Sequence, residues 1–281
     1  MTADFMCTVD GGRGNRPDDP LITPTRVFDN LYAIGRTSTV VWAITTTAGI
    51  MLIDSGYADQ IESVLLPGMR QLGLDPNDVE YVLVGHGHGD HFGGAPYFQS
   101  RGARVVLSAA DWDLIENPPP PPAGAPAAPA APAPVPPKRD VVAVEGQPIT
   151  LGDVSVTPVL IPGHTPGALG FIFPVKDGGT THTAALFGGS ILTPGRISDA
   201  GLEQYVTSVE HFAEVTRAKG VDVEIQNHPL YDGFVPKLER LAARAPGRPH
   251  PFVVGADGYQ RFLAVMADCT RAQRERRRDA P

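Results

Sequence analysis

Cysteine is nearly missing from this 281-residue chain, which holds only Cys7 and Cys269. Two thiols near opposite ends cannot form the dense disulfide framework of a small secreted domain, and the sequence leaves open whether they pair. Long apolar runs are missing as well. Nothing approaches the ~18 residues that a membrane-spanning helix needs, so no membrane partner is expected. The opening stretch "MTADFMCTVDGGRGNRPDDP" lacks a basic region followed by an apolar one, so no secretory signal is visible, and the compartment stays open. Positive charge is in deficit: 23 Lys and Arg face 31 Asp and Glu, a net charge of -8. An acidic globule is poorly suited to tracking a phosphate backbone, so nucleic acid is not an expected partner. The basic C-terminal cluster "RAQRERRR" complements the end of a helix instead. No Gly-rich phosphate loop follows the first strand, which argues against a doubly wound dinucleotide fold. No G-x-S-x-G elbow occurs, which argues against a serine nucleophile.

What is present is a mixed α/β pattern. Residues 1–25, rich in Gly, Pro and Asp, read as an extended arm, and residues 26–281 as a single domain. "VVWAITTTAGIMLIDSG" reads as two β-branched strands around Ala48-Gly49. A helix is expected from Ala58 to Leu72, with Pro67-Gly68 as a kink, then a strand over Val79–Val84. Residues 118–137 are all Pro, Ala, Gly or Val, and 11 of the 20 are Pro, so they read as a Pro/Ala-rich insertion of extended geometry. The second half repeats strands and then helices, the last two near 235–245 and 258–277. Comparable content in the two halves favours two sheets face to face with helices outside, a four-layer αββα sandwich.

The chemistry is concentrated in "VLVGHGHGDHFGG", where His86, His88, Asp90 and His91 fall within six residues. A strand ending at Gly85 presents alternate side chains on one side, so His86 and His88 can bite one metal, while Asp90 and His91 come around the bend toward a second. Imidazoles plus one carboxylate suit Zn²⁺ best. Four donors cannot fill two sites. His164 in "IPGHTPG" and His228 in "EIQNHPL" both follow apolar strands and are expected to supply the rest. His182, His211 and His250 are read as ordinary hydrogen-bonded histidines.

With "LIDSG" (52–56), "HGHGDH" (86–91), "GHTPG" (163–167), "GGS" (188–190) and "NH" (227–228) in that order, the chain resembles the metallo-β-lactamase superfamily. The resemblance implies that His86, His88 and His164 hold one zinc, that Asp90, His91 and His228 hold a second, and that Asp54 anchors the loop. Glyoxalase II and lactonases carry a metal-bridging aspartate where this chain has Ser190. A serine there, with the blocks "LFGGSILTPG", "NRPDDPLITPTRVFDNLYAIG" and "PFVVGADGYQRFL", is similar to the third subclass of class B β-lactamases. That subclass often shows a second hydroxyl two residues on, where this chain has Leu192, and the 118–137 run replaces a loop near the site mouth. The implied function is hydrolysis of a small carbonyl substrate by a metal-activated hydroxide. Asp90 would orient the hydroxide, and Ser190 would bond a site water or a substrate carboxylate. A β-lactam is the first expected substrate; a lactone, ester or thioester is the second. A zinc-binding protein without turnover is the remaining alternative.

Overall fold

The computed structural model describes residues 19–119, 134–192, 197–230 and 232–278. Seven strands form the first sheet in sequence order: β1 (Thr25–Phe28), β2 (Leu31–Gly35), β3 (Val40–Thr46), β4 (Gly49–Ile53), β5 (Val79–Leu83), β6 (Arg104–Leu107) and β7 (Val141–Val142). Pairing is antiparallel up to β4 and parallel from β4 to β7. Five strands form the second: β8 (Ile149–Leu151), β9 (Val154–Leu160), β10 (Leu169–Asp177), β11 (Thr180–Phe187) and β12 (Val223–Ile225). Their spatial order is β12-β11-β10-β9-β8, with only β11 and β12 parallel. The helices are α1 (Leu66–Gln71), α2 (Gly89–Phe92), α3 (Ala95–Gln99), α4 (Ala109–Glu116), α5 (Asp199–Ala218), α6 (Phe234–Ala242) and α7 (Ala256–Arg278). None is long and apolar enough to cross a membrane.

Side chains alternate across a strand, so a strand buried on both faces feeds two cores. On β3, Val40, Trp42 and Ile44 enter the core between the sheets, while Val41 and Ala43 face the core under α1, α3 and α4. On β10 and β11, Phe171, Phe173, Ala184 and Leu186 enter the central core, while Ile172, Ala185 and Phe187 pack under α5 and α7. Three apolar layers separate four structural ones, which is the αββα sandwich expected from the sequence. Trp42 is fully buried, and its indole N–H donates to Gln226 O at 2.9 Å, tying β3 to the strand end that leads to His228.

The helix expected over Ala58–Leu72 differs. The segment begins as a 3₁₀ turn (Ala58–Gln60), widens into a π-type turn (Ile61–Leu65) and only then becomes α1. Pro67 has no N–H, and its ring would press on the carbonyl four residues back. The wider turn relieves this, and Leu66 N–H reaches back to Ile61 O. Of the arm read over residues 1–25, residues 1–18 lie outside the described residues. Its end runs beside the β2–β3 turn, where Thr37 N–H donates to Pro20 O and Ile22 N–H to Gly35 O. Most of the 118–137 insertion also lies outside the described residues. Cys269 is buried on α7 and disulfide-bonded, whereas Cys7 is not among the described residues.

Candidate metal centre

Strands β4 and β5 are parallel, and β9, β11 and β12 share one direction because β9 and β11 both run against β10. The loops that follow these five strands carry Asp54, His86–His91, His164, Ser190 and His228. The sheets meet at this rim through Leu169 N–H to Gly85 O and Val40 N–H to Asn227 O, both 2.8 Å. Gly188 makes the meeting possible: a Cβ there would stand 2.1 Å from Leu169 O and 3.1 Å from Gly85 Cα.

Six of the sequence-expected residues gather into two triads, His86–His88–His164 and Asp90–His91–His228, and the donor atoms of each lie within 4.8 Å of one another. In the first triad, His86 Nε2 is 3.1 Å from His88 Nδ1, and His164 Nε2 is 3.0 Å and 3.1 Å from those two atoms. Three nitrogens bound tetrahedrally at zinc distances would stand roughly 3.3 Å apart. In the second, His91 Nε2 and His228 Nε2 are 3.0 Å apart, and Asp90 Oδ2 is 3.4 Å from each. The rings of His86 and His91, one from each triad, are 3.9 Å apart.

The outward-facing nitrogens decide what can sit between the inward ones. His86 Nδ1 donates to Gly188 O, His164 Nδ1 to Ile191 O and His228 Nδ1 to Ser38 O, each at 2.6 Å. A carbonyl oxygen only accepts, so these Nδ1 atoms carry the protons and the facing Nε2 atoms carry bare lone pairs. Burial, then the neighbouring histidines, hold His86 and His164 well below the usual histidine range, so they stay neutral. Lone pairs converging at 3.0 Å repel unless a cation lies between them, and this donor set fits one. The second triad lies in a negative field. Burial alone would lower the His91 pKa, but Asp90 and Asp54 raise it to about 10. Burial pushes Asp90 up, yet His91 and His228 hold its carboxyl well below the usual range.

Asp54 is the anchor the sequence suggested. It is fully buried and accepts from Gly85 N and His91 Nδ1 at 2.7 Å and from Asn227 Nδ2 at 3.0 Å. Ser190 is 7% exposed, and its Oγ has no hydrogen-bond partner among the described residues. Leu192 packs against the core under α5 and α7. The other three histidines fall outside both triads: His182 pairs with Asp222, His211 with Glu145, and His250 bonds Val27 O and stacks on Phe28.

Sequence reasoning missed two groups. One is Asp111 on α4, fully buried and bonded to both histidine loops. The other lies just beyond His228, where Lys237 Nζ on α6 is 2.6 Å from Glu224 Oε2 and 3.5 Å from Asp232 Oδ2, all three buried. Two carboxylates share one ammonium. Burial and the Glu224 charge, opposed by Lys237, raise the Asp232 pKa to about 7. A carboxyl raised in the folded state contributes stability that is full below its unfolded pKa of ~4 and is lost as pH rises through 7. Asp232→Asn keeps an oxygen for Phe234 N–H and removes the titration. The variant is expected to gain on the wild type between pH 5 and pH 8, by roughly 5–8 °C in Tm, the size of about 2–3 kcal/mol in a chain this long. A Tm difference that stays flat across that range would place the titration elsewhere.

Residues 34–178 match the family described as the metallo-beta-lactamase superfamily. The hydroxyacylglutathione hydrolase of Acidiphilium cryptum is 30% identical over 210 residues, covering 73% of this chain and 72% of that protein. Among solved structures, the fold superposes on BJP-1, a subclass B3 metallo-beta-lactamase of Bradyrhizobium japonicum, with a TM-score of 0.72 at 24% identity, covering 93% of this chain and 98% of that one. It superposes on the FEZ-1 metallo-beta-lactamase from Legionella gormanii with a TM-score of 0.78 at 21% identity, covering 94% and 100%. Fold, motif order, family match and curated relative agree: the chain belongs to the metallo-beta-lactamase superfamily.

Proposed function

We propose that this superfamily hydrolase binds two zinc ions, one per triad, and opens a β-lactam ring. The observation that carries the reading is the convergence of six donors in two triads, with the Nδ1–H groups of His86, His91, His164 and His228 bonded outward, the neutral Nε2 atoms of His86 and His164 facing inward in the first triad, and the Asp90 carboxylate facing the histidines of the second. Each triad offers three protein donors, whereas a zinc site kept for structure usually closes with four. That favours turnover over a purely structural role. Bound zinc would supply a Lewis acid for a carbonyl oxygen and lower the pKa of a bound water toward neutrality.

The chain's own groups supply orientation. Asp90, partly exposed beside His91 and His228, presents its carboxylate to a nucleophilic water. His88, the exposed member of the first triad, marks the open side from which substrate enters. The Ser190 Oγ–H, buried and without a partner among the described residues, can donate to a substrate carboxylate. Serine at this place, together with the fold shared with BJP-1 and FEZ-1, supports the β-lactam reading. The Acidiphilium cryptum relative supports a second reading, a thioester, lactone or ester substrate.

The test joins metal analysis to a substrate panel of a penicillin, a cephalosporin, a carbapenem, an acyl-homoserine lactone and S-lactoylglutathione. Two zinc per chain with turnover of the lactams is expected. Turnover of the thioester or lactone alone transfers the assignment to the second reading, and full turnover by metal-stripped protein overturns both. Ser190→Asp is expected to raise metal affinity and lower kcat/KM for β-lactams, each by about 10-fold, the usual scale for groups that support a metal site. Identical kinetics would make Ser190 a bystander.

A further inference from the structure

The carboxylate of Asp111 touches neither triad, yet it holds both chain segments that form the first one. Its Oδ2 accepts from Gly87 N and Thr165 Oγ1, both at 2.7 Å, and its Oδ1 accepts from Gly167 N at 2.8 Å. Gly87 lies between His86 and His88, and Thr165 follows His164. These segments are 78 residues apart between His86 and His164 and come from different sheets, so no local hydrogen bond can set their separation. Asp111 is itself fixed at the start of α4, where its N–H donates to Ser108 Oγ at 3.2 Å. Both loops are pressed onto this helix. A Cβ on Gly167 would stand 2.0 Å from Ser108 Oγ and 2.7 Å from Asp111 N, and one on Gly87 would stand 2.9 Å from Ile115 Cγ2.

We propose that Asp111 is a positioning residue for the first triad: by gripping Gly87, Thr165 and Gly167 together, it sets the distance of His164 from His86 and His88 and so the metal affinity of that triad. Three donors on one buried carboxylate form a rigid clamp, because each is a strong acceptor bond with no water to compete. An N–H or O–H that loses this acceptor is left unsatisfied, and its loop relaxes. The inference rests on the reading that the triads bind metal, and the test separates the two.

Metal-free protein is titrated with Zn²⁺ against a competing chelator in two backgrounds. His228→Ala leaves only the first triad complete, and His88→Ala leaves only the second. Adding Asp111→Asn turns an amide N–H₂ toward groups that can only donate or prefer to. In the His228→Ala background it is expected to weaken zinc binding by about 10- to 100-fold, the scale seen when a group holding a metal ligand is removed. In the His88→Ala background it is expected to change affinity by less than about 2-fold, as for an independent site. Equal weakening in both backgrounds, or no weakening in either, overturns the proposal. Should Asp111→Asn not fold, Thr165→Val removes one of the three donors and Thr165→Ser restores it. Weaker binding in the first variant and wild-type affinity in the second support the clamp, and equal affinity in both overturns it. Wild-type protein that binds no zinc would overturn the metal reading itself, and this inference with it.

Discussion

Replacing His88 or Asp90 with alanine is expected to lower hydrolysis by at least about 10³-fold, well beyond the ~10–100-fold cost of losing a supporting group, and to lower the zinc content. The two variants probe different physics. His88 is exposed, so removing its ring opens no cavity, and the metal-free protein should melt at the wild-type temperature. Its loss leaves His86 and His164, two neutral rings, to hold an ion that had three donors. Asp90 contributes the only carboxylate among the six donors. Without it the second triad keeps two histidine rings and loses the negative charge that faces their Nε2 atoms. Metal content by elemental analysis, set beside turnover of the substrate panel, checks both. Wild-type turnover by either variant would remove the triads from the reaction.

The donor loop was legible because its chemistry is local: four metal-type side chains in six residues are seen in any reading frame of structure. The strand over Val40 to Ile44 was legible as a β-branched apolar run, but not which core each residue enters, because a strand buried on both faces is apolar at every position. His164 and His228 could be nominated only by their places after apolar strands, and their convergence with His86 and His91 is a long-range outcome of two sheets meeting at Gly85 and Gly188. Groups that act through the backbone leave no trace in residue type. Ser38 fixes the His228 tautomer with its carbonyl oxygen, which any residue would supply. Asp111 looks like an ordinary early-helix carboxylate three residues after a capping serine, and only the tertiary approach of Gly87, Thr165 and Gly167 shows what it holds. The break at Ile61–Leu65 was half visible, because Pro67 announces a disturbance but does not say that the helix widens before it rather than bending at it.

Asp54→Ala is expected to be the most destabilising single change at the site. The carboxylate is fully buried and receives three hydrogen bonds, from the Gly85 backbone, the His91 ring and the Asn227 amide. Alanine leaves three buried donors without an acceptor, a loss of about 3–5 kcal/mol after partial relaxation. In a chain of this length that corresponds to a Tm lowered by roughly 6–20 °C. Asp54 is also the one described non-glycine residue with a left-handed backbone, φ 63°, a conformation that aspartate and asparagine tolerate better than alanine does. Asp54→Asn therefore separates the two contributions: it keeps the backbone and the volume, and removes only the charge and one acceptor. Its Tm should lie between those of wild type and Asp54→Ala. Its zinc affinity at the second triad should still fall by about 10- to 100-fold, because the His91 Nδ1–H no longer meets a carboxylate and the ring is no longer held in the tautomer that presents Nε2 inward. Chelator competition in the His88→Ala background reads that affinity directly. An asparagine variant that binds zinc like the wild type while the alanine variant unfolds would show that Asp54 holds the chain together but does not tune the metal site.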